Sequence, residues 1–359
     1  MSAVRFAVIG AGNGGQSMAA HLTLLGFSVG LWDVEPEKVQ ALRRRGSIAL
    51  SGAVEGEAPL SLVTGDMAEV LEGAAVAMVV LPTVYHGSVA KSMAPHLRSG
   101  QVVVLNPGAT GGALEVRTTL RESGCRAEVT VAETDTLLYA CRSPQPGEAI
   151  IHGIKRHVDV AALPARASRD VAAALNSAFP QFAPASSVLQ TSLTNMNAMM
   201  HPAPTLLNAG RIESRATFEY YGEGVTPSIA RVVESIDGER LAVAAALGVR
   251  VPSLIEWYAA GYGTHGRTLY ETVQQVRGYD GIKGPATLQT RYLFEDISTG
   301  LVPLSALGEA LGVPTPLMRA VVDLGSTLLG RDFWREGRSL VKLGLAGKGA
   351  EEIRRLILE

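Results

Sequence analysis

The sequence predicts a doubly wound, parallel α/β domain over residues 1–184 and an all-α domain over residues 185–359. Val4 to Ile9 is an apolar run that ends in the glycine-rich turn Gly10 to Gly15, and helical apolar spacing follows from Ser17 to Leu25. Short apolar runs then alternate with amphipathic stretches as far as Pro184, which is typical of right-handed βαβ units. After Pro184 the apolar periodicity is mainly helical.

The glycine-rich turn predicts a dinucleotide site. Gly10, Gly12 and Gly15 have G-x-G-x-x-G spacing between a predicted strand and a predicted helix, and Asn13 and Gly14 complete the turn. In such turns the first glycine allows the sharp bend, the second lets a pyrophosphate approach the backbone, and the third brings helix and strand together. The N–H groups at the helix start favour phosphate. We therefore expect a Rossmann-type domain.

An acidic residue occupies the position that distinguishes NAD from NADP. Val29 to Trp32 is the predicted second strand, and Asp33 follows it, 18 residues beyond Gly15. A carboxylate there accepts the ribose hydroxyls of adenosine and repels a 2′-phosphate, so the sequence favours NAD(H). Arg43 to Arg45 would accommodate that phosphate, but their helical stretch is more typical of a solvated face.

The other runs of this domain extend the sheet. Strands are predicted at Ala75–Leu81, Gln101–Leu105 and Glu128–Ala132, and helices at His86–Leu97 and Gly111–Ser123. Three later β-like runs have hairpin-like spacing, and we expect them to extend the sheet in antiparallel fashion: Thr136–Ala140, Ala149–Ile154 and Val158–Ala162.

Turn residues follow two of the predicted strands. Pro82 follows the run that ends at Leu81, and Asn106 follows the run that ends at Leu105. Both turns fall where ribose and nicotinamide would lie if the glycine turn holds the pyrophosphate, so Pro82 and Asn106 are candidate cofactor contacts. The alternative is that both are simply favourable turn residues.

Helical periodicity predicts the second domain. Four runs carry it: Leu189–Leu207, Ser228–Leu247, Leu304–Leu311 and Pro316–Leu329. Gly248, Gly312 and Gly330 follow three of these runs at C-cap positions, and Thr315 precedes Pro316 as an N-cap. We expect a ligand between the two domains, at the carboxyl ends of the strands.

Composition excludes several classes of protein. A chain of 359 residues with 47% hydrophobic and 18% charged residues is large enough for two domains with substantial cores. A net charge of −2 argues against a nucleic-acid or anionic-membrane surface, and no apolar run reaches the ~18 residues of a membrane span. No signal peptide is expected, because the first apolar run leads into the glycine turn. Cys125 and Cys141 form no metal or redox motif, which favours a metal-free, cytoplasmic protein.

His201 is the histidine most in need of a partner. It lies on an otherwise apolar helical stretch, where burial of its ring costs free energy unless the ring is hydrogen-bonded. Pro202 and Pro204 lack amide donors and favour a kink or break in that helix. A buried titratable group at a break is a candidate catalytic residue, and a hydrogen-bonded core histidine is the alternative.

The segment Arg291 to Asp296 carries charge. An arginine suits a substrate carboxylate because its planar fork makes two parallel bonds, and an aspartate suits a histidine because it fixes the tautomer. Asp296 lies about 140° around a helix from Arg291, and both residues line one pocket only if the segment crosses its floor. Arg291 and Glu295 are also i, i+4 neighbours, so a local ion pair is the alternative.

At these residues the chain resembles the opine dehydrogenase family of octopine and nopaline type. The resemblance covers nearly the whole chain and is carried by Gly10–Gly15, Leu105–Gly112, Thr191–Asn195, Met200–Pro202, Pro204–Asn208 and Phe294–Leu304. These long matches are more specific than the glycine spacing alone.

The resemblance implies reductive condensation of an α-keto acid, such as pyruvate, with the amino group of an L-amino acid or an amine. NADH would supply the hydride, and the product would be a secondary amine dicarboxylate with D configuration at the new centre. The resemblance further implies that His201 is the acid–base residue, Asp296 its partner and Arg291 a ligand of the substrate carboxylate.

Two other functions compete with this interpretation. A 2-keto acid or ketopantoate-type reductase would reduce the ketone without an amine. A cofactor-sensing regulator would use the helical half for interaction, but the nearly neutral charge and the lack of a basic stripe count against it. Long apolar faces such as Ser228–Leu247 favour a homodimer, with ordinary core as the alternative.

Overall fold

The computed structural model describes residues 4–359 and divides into two units. The first unit extends to Thr191 and also includes Leu356–Glu359, and the second unit is Ser192–Arg355. The division falls within a short helix, Val188–Leu193, whereas the sequence prediction places it just before that helix, at Pro184.

The main sheet of the first unit has eight strands in the order β12-β11-β8-β7-β6-β1-β2-β5. The strands are β1 Arg5–Ile9, β2 Ser28–Trp32, β3 Ser47–Gly52, β4 Gly56–Pro59, β5 Leu62–Thr64, β6 Val76–Val79, β7 Val102–Leu105, β8 Thr130–Thr134, β9 Tyr139–Arg142, β10 Glu148–Ile154, β11 Val158–Leu163 and β12 Phe182–Pro184. From β5 to β8 all neighbours are parallel. This order is that of a doubly wound dinucleotide-binding sheet, so the predicted fold class is confirmed.

The predicted antiparallel extension is present, but only one of the three runs supplies it. β11 pairs antiparallel with β8, whereas β9 and β10 join β3 and β4 in a separate four-stranded sheet. The prediction that all three runs extend the main sheet is therefore wrong for β9 and β10. β10 pairs in parallel with β3, and a pairing between such distant segments leaves no mark on local spacing.

The helices of the first unit connect the parallel strands. They are α1 Asn13–Leu24, α2 Pro36–Arg45, α3 Met67–Leu71, α4 His86–Met93, α5 Gly112–Glu122 and α6 Ser168–Asn176, followed by α7 Val188–Leu193 at the division. The central strands are buried as nearly continuous apolar runs; Phe6 to Ile9 of β1, for example, are fully buried. Burial on both faces explains why these strands were readable from the sequence.

The second unit is helical, as predicted. Its helices are α8 Met196–Met200, α9 Pro202–Leu207, α10 Ala209–Glu213, α11 Pro227–Ala246, α12 Leu254–Tyr262, α13 Leu269–Val273, α14 Arg291–Asp296, α15 Val302–Ala310, α16 Pro316–Leu329, α17 Phe333–Glu336 and α18 Ala350–Leu358, whose residues from Leu356 onward are grouped with the first unit. A π-helical turn, Ile297–Leu301, joins α14 to α15. Within residues 4–359, none of the helices is long and apolar enough to span a bilayer.

The run Leu189–Leu207 forms three short helices, α7 to α9, and the predicted break at His201 separates α8 from α9. The cap of α16 differs from the prediction. Thr315 stands at the N-cap of α16, but its hydroxyl hydrogen-bonds Ser305. The carboxylate of Glu239 caps the helix instead, since it accepts the N–H groups of Leu317 and Met318 at 2.8 and 2.9 Å.

Candidate functional site

The predicted cofactor residues of the first unit share one edge of the main sheet. The glycine turn follows β1, Asp33 follows β2, Pro82 comes after β6 and Asn106 follows β7. These strands are parallel, so their carboxyl ends lie at the same edge, which is where ligands bind in open α/β sheets.

The glycine turn has the geometry of a phosphate cradle. Gly10 adopts φ +109°, a conformation that favours glycine, and a Cβ on Gly15 would lie 1.7 Å from the carbonyl oxygen of Gly10. A Cβ on Gly12 would meet nothing within 4 Å, so space is open beside the backbone at the start of α1. The first N–H groups of α1 have no intrahelical acceptor and are directed out of the helix start.

Asp33 is held at the end of β2 and is only 4% exposed. Its Oδ2 accepts the Ala11 N–H at 2.7 Å, its Oδ1 accepts the Glu35 N–H at 3.0 Å, and Lys38 forms an ion pair with it at 3.3 Å. Each carboxylate oxygen has two lone pairs, so acceptor capacity remains for ribose hydroxyls. The position of Asp33 relative to the turn is therefore set by a direct bond to the turn itself.

The arginines that would favour a 2′-phosphate are engaged elsewhere or exposed. Arg43 donates to the carbonyl of Val63 at 2.6 Å, and Arg45 pairs with Glu148 at 3.4 Å. Arg44 is exposed at the surface of α2. This arrangement agrees with a solvated face of α2.

Asn106 and Pro82 differ in what they offer a ligand. Asn106 is buried, its Nδ2 donates to the carbonyl of Val104 at 2.9 Å, and its Oδ1 has no hydrogen-bond partner among residues 4–359. That oxygen is an acceptor available to a ligand. Pro82 is exposed and follows Leu81, whose side chain lies beside Gly10. Together with the open space at Gly12, the buried acceptor shows that this edge fits a dinucleotide.

The turn between β9 and β10 covers the start of α1, which the sequence did not indicate. Asn13 Oδ1 accepts the Ser143 N–H at 2.8 Å. The amide of Gln16 donates to the Ala11 carbonyl and the Ser143 hydroxyl, and its oxygen accepts the Gly147 N–H at 2.8 Å. The second sheet therefore braces the cradle through side-chain amides, whose partners were too distant in sequence to identify.

A second acid stands near this edge, just after β8. Burial and the neighbouring charge of Asp159 raise the pKa of Asp135 to about 7, against the opposing effect of Lys155. The Asp135 carboxylate accepts the Asp159 N–H at 3.0 Å. Nothing in the local pattern marked this residue, because its environment is created by β11.

In the second unit, the helix breaks at His201, as predicted. His201 ends α8 and precedes Pro202, the first residue of α9. Pro202 and Pro204 have no N–H to give to the preceding turn. The single O–H of Tyr220 lies at this break, 2.8 Å from the carbonyl oxygen of His201 and 3.3 Å from that of Met200.

The break presents the His201 ring to Asp296. Nδ1 of His201 lies 2.7 Å from Oδ2 of Asp296, and Nε2 lies 3.3 Å from the hydroxyl of Tyr221. The ring stacks on Tyr292 with centroids 4.0 Å apart and an interplanar angle of 16°. His201 and Asp296 are 6% and 7% exposed, so their interaction is weakly screened by water.

A close helix approach allows this meeting. Asp296 ends α14, and the π-helical turn begins at the next residue. A Cβ on Gly300, within that turn, would lie 2.5 Å from the Cβ of Ala198 in α8. The missing side chain lets the segment that carries Asp296 approach the segment that ends in His201. π-Helical turns are frequent at functional sites.

Tyrosines surround the pair, and none of them was identified as a candidate site residue from local sequence pattern. Tyr221 stacks on Tyr279 at 3.8 Å, and the hydroxyls of Tyr279 and Tyr258 lie 3.0 Å apart. Burial, reinforced by neighbouring tyrosines, raises the pKa of Tyr221 well above its ordinary value, and burial does the same for Tyr220. These hydroxyls remain protonated near neutral pH. The Tyr220-Tyr221 dipeptide was the one local signal that could have identified this cluster.

Arg291 is not brought into contact with the His201–Asp296 pair. It opens α14 at an exposed position, directly before Tyr292, and its guanidinium makes no ion pair or hydrogen bond with any of residues 4–359. The alternative of an ion pair with Glu295 is therefore wrong. A free guanidinium next to the residue that stacks on His201 is compatible with carboxylate binding.

The chain is similar to known dehydrogenases in both of its units. Residues 184–329 match the family profile described as "NAD/NADP octopine/nopaline dehydrogenase, alpha-helical domain", and residues 5–125 match "NAD-dependent glycerol-3-phosphate dehydrogenase N-terminus". The opine dehydrogenase of Arthrobacter sp. (strain 1C) is 48% identical over 350 residues, which cover 97% of each chain.

Solved structures show the same fold over the whole chain. Octopine dehydrogenase with NADH and L-arginine superposes with a TM-score of 0.83 at 19% identity, over 99% of this chain and 98% of that one. Octopine dehydrogenase with NADH and pyruvate gives 0.79 at 19% identity, over 95% of each chain.

We expect alanine substitutions at two glycines of the turn to have different effects, so that each variant is the control for the other. Gly15→Ala should lower the free energy of unfolding by about 1–3 kcal/mol, because its Cβ collides with the backbone of Gly10. Gly12→Ala should leave stability unchanged but weaken NADH binding by about tenfold or more, because its Cβ enters open space at the cradle. Urea denaturation and fluorescence titration with NADH measure the two effects. Equal NADH affinity in Gly12→Ala and wild type would contradict the location of the cradle.

Proposed function

Because the chain belongs to the opine dehydrogenase family, we propose that it condenses an α-keto acid with an amino acid and reduces the product with NADH. The chain is an NAD-dependent oxidoreductase of this family, whose products are secondary amines. The keto acid would be pyruvate or a close relative and the amino compound an L-amino acid or an amine. Octopine dehydrogenase, of the same fold, was solved with L-arginine and with pyruvate.

The observation that carries this proposal is the buried His201–Asp296 hydrogen bond at 2.7 Å. Condensation of an amine with a ketone removes a proton from nitrogen and delivers one to the departing hydroxyl, so that water leaves and an imine forms. Nε2 of His201 takes the first proton and supplies the second, while Asp296 holds Nδ1–H and stabilises the charged ring. One imidazole, which can both accept and donate a proton, serves both steps.

The keto acid needs a cation to orient its carboxylate. Arg291 has a free, exposed guanidinium beside Tyr292, and a guanidinium binds a carboxylate through two parallel hydrogen bonds. Such a fork would fix the prochiral carbon in one orientation and thus favour a single configuration at the new centre, which the family resemblance implies is D.

The nucleotide would be held at the carboxyl edge of the main sheet. The glycine turn from Gly10 to Gly15 would hold the diphosphate, Asp33 the adenosine ribose, and the Asn106 and Pro82 turns the remainder. When bound, NADH supplies the hydride that reduces the imine carbon. The buried carboxylate of Asp33 supports NADH over NADPH, because a 2′-phosphate would lie against a negative charge.

We also propose a cytoplasmic homodimer. Cys125 and Cys141 are free thiols, which suits a reducing compartment. The apolar face of α11, which suggested a dimer, is buried within its own unit, but Leu324 and Leu328 on α16 are 44% and 43% exposed and one turn apart. A monomeric mass by light scattering would contradict the dimer, and recovery from the extracellular fraction would contradict the location.

The proposed reaction predicts that NADH consumption needs both substrates. We expect little oxidation of NADH with pyruvate alone and rapid oxidation when an L-amino acid is added, because the hydride acceptor is the imine. The measurement is absorbance at the NADH band over a grid of keto acids and amines, with the product's chirality determined. Equal rates with and without an amine would identify a keto-acid reductase instead.

His201→Ala should lower kcat by ~10²–10⁴, the usual contribution of acid–base catalysis. NADH affinity should change by less than about twofold, since the nucleotide residues belong to the other unit. Steady-state kinetics and NADH titration separate the two quantities. His152→Ala, at an exposed position of β10, is the matched control and should behave as wild type. Undiminished turnover in His201→Ala would remove His201 from the mechanism.

Arg291→Ala should raise the KM for the keto acid about tenfold or more, with a smaller effect on the KM for the amino compound. Loss of the guanidinium removes the two bonds to the keto-acid carboxylate, while NADH binding is unaffected. Arg277→Ala, an exposed arginine of the same unit, controls for loss of surface charge. An unchanged keto-acid KM in Arg291→Ala would exclude Arg291 from the substrate site.

A further inference from the structure

We infer that Tyr221 positions His201 for proton exchange through the hydrogen bond between its hydroxyl and Nε2 of the ring. This inference rests on the proposed function, in which Nε2 is the nitrogen that exchanges the proton. Tyr221 would act through His201, as a positioning residue.

The partners of the ring determine which atom donates. An ionised carboxylate only accepts hydrogen bonds, so Nδ1 of His201 carries the hydrogen that points to Asp296. In the neutral ring Nε2 is then an acceptor, and the hydroxyl of Tyr221, 3.3 Å away, is its donor. When Nε2 gains a proton, the same oxygen accepts from it. A hydroxyl is suited to this position because it can donate and accept, which neither a carboxylate nor an ammonium can do.

The Tyr221 side chain is protonated and held in a fixed position by its neighbours. Burial raises the pKa of Tyr221 well above its ordinary value, with a further contribution from neighbouring tyrosines. The ring is 7% exposed and stacks on Tyr279 with centroids 3.8 Å apart. Gln274 donates to the carbonyl of Tyr221 at 3.1 Å, which fixes the backbone from which the ring extends. The stacking on Tyr279 and the bond to the Tyr221 backbone thus hold the hydroxyl of Tyr221 at Nε2 of His201.

The groups that face the imidazole of His201 determine whether the Tyr221 hydroxyl favours the protonated or the neutral ring. They are Asp296 at Nδ1, Tyr221 at Nε2, Tyr292 stacked on one face and Tyr220 at the edge. Hydrogen bonds to an ionised group are about twice as strong as neutral ones. The Tyr221 hydroxyl therefore stabilises the protonated ring more than the neutral ring.

The test compares Tyr221→Phe with Tyr258→Phe in the full-length enzyme. Tyr221→Phe keeps the ring that stacks on Tyr279 and removes only the hydroxyl at Nε2. Tyr258→Phe removes a hydroxyl from the same cluster, 3.0 Å from that of Tyr279, and leaves His201 untouched. The measurements are kcat and each KM with NADH, pyruvate and an L-amino acid, as a function of pH.

For Tyr221→Phe we expect kcat to fall about 3- to 10-fold, the value of one hydrogen bond, with each KM within about twofold of wild type. The midpoint of the acid limb of the kcat profile should move to lower pH, because the protonated ring loses more than the neutral ring. Tyr258→Phe should match wild type in rate and profile. A Tyr221→Phe variant with wild-type rate and profile would overturn the inference, as would equal losses in both variants, since equal losses would mean that the hydroxyls serve packing alone.

A second measurement separates this inference from the proposed function. In protein labelled with ¹⁵N-histidine, the Nε2 resonance of His201 is identified by its loss in His201→Asn and then compared between wild type and Tyr221→Phe. If the wild-type chain shows no condensation activity, the proposed function fails, yet a moved Nε2 resonance still supports the bond to Tyr221. An Nε2 resonance unchanged in Tyr221→Phe overturns the inference whatever the activity.

Discussion

The hydrogen bond between His201 and Asp296 is the constraint on which the candidate site of the second unit depends. It joins two side chains 95 positions apart, both nearly excluded from water, and an imidazole buried there without a partner would be costly. Because Asp296 lies at Nδ1, the other ring nitrogen, Nε2, faces the hydroxyl of Tyr221. Each side chain lies beside an interruption of regular helix, His201 at the break before Pro202 and Asp296 directly before the π-helical turn.

Both sites lie where regular backbone hydrogen bonding is interrupted. In the first unit, the glycine turn leaves the N–H groups at the start of α1 available for phosphate, and Asp33 is bonded to that turn through Ala11. In the second unit, Pro204 has no N–H for the carbonyl of Met200, and the hydroxyl of Tyr220 lies 3.3 Å from that oxygen. Backbone N–H and C=O groups at the ends of helices have no partner within the helix and must be satisfied by side chains, water or ligands. Both candidate sites therefore lie at the ends of helices and strands.

Much of the fold was predictable from local pattern. The parallel strands from β1 to β8 are buried apolar runs, and the turn from Gly10 to Gly15 has a fixed spacing, so both were visible in the sequence. The prediction failed where pairing is not local. β9 and β10 have strand-like spacing, but only their contact with β3 assigns them to the second sheet. Similarly, Thr315 has the residue type of a cap, but Glu239 is the side chain that reaches the α16 amides.

The sequence by itself determined the nucleotide fold, the residues at its carboxyl edge, the helix break at His201 and, through long motifs, the family. Only the tertiary structure decided that Asp296 lies on Nδ1, that Arg291 stands free beside Tyr292, and that Tyr221 occupies Nε2. The physical reason is range. Periodicity and turn chemistry act over a few residues, whereas a hydrogen bond between distant segments depends on how closely helices approach, as at Gly300, where a missing side chain decides the distance.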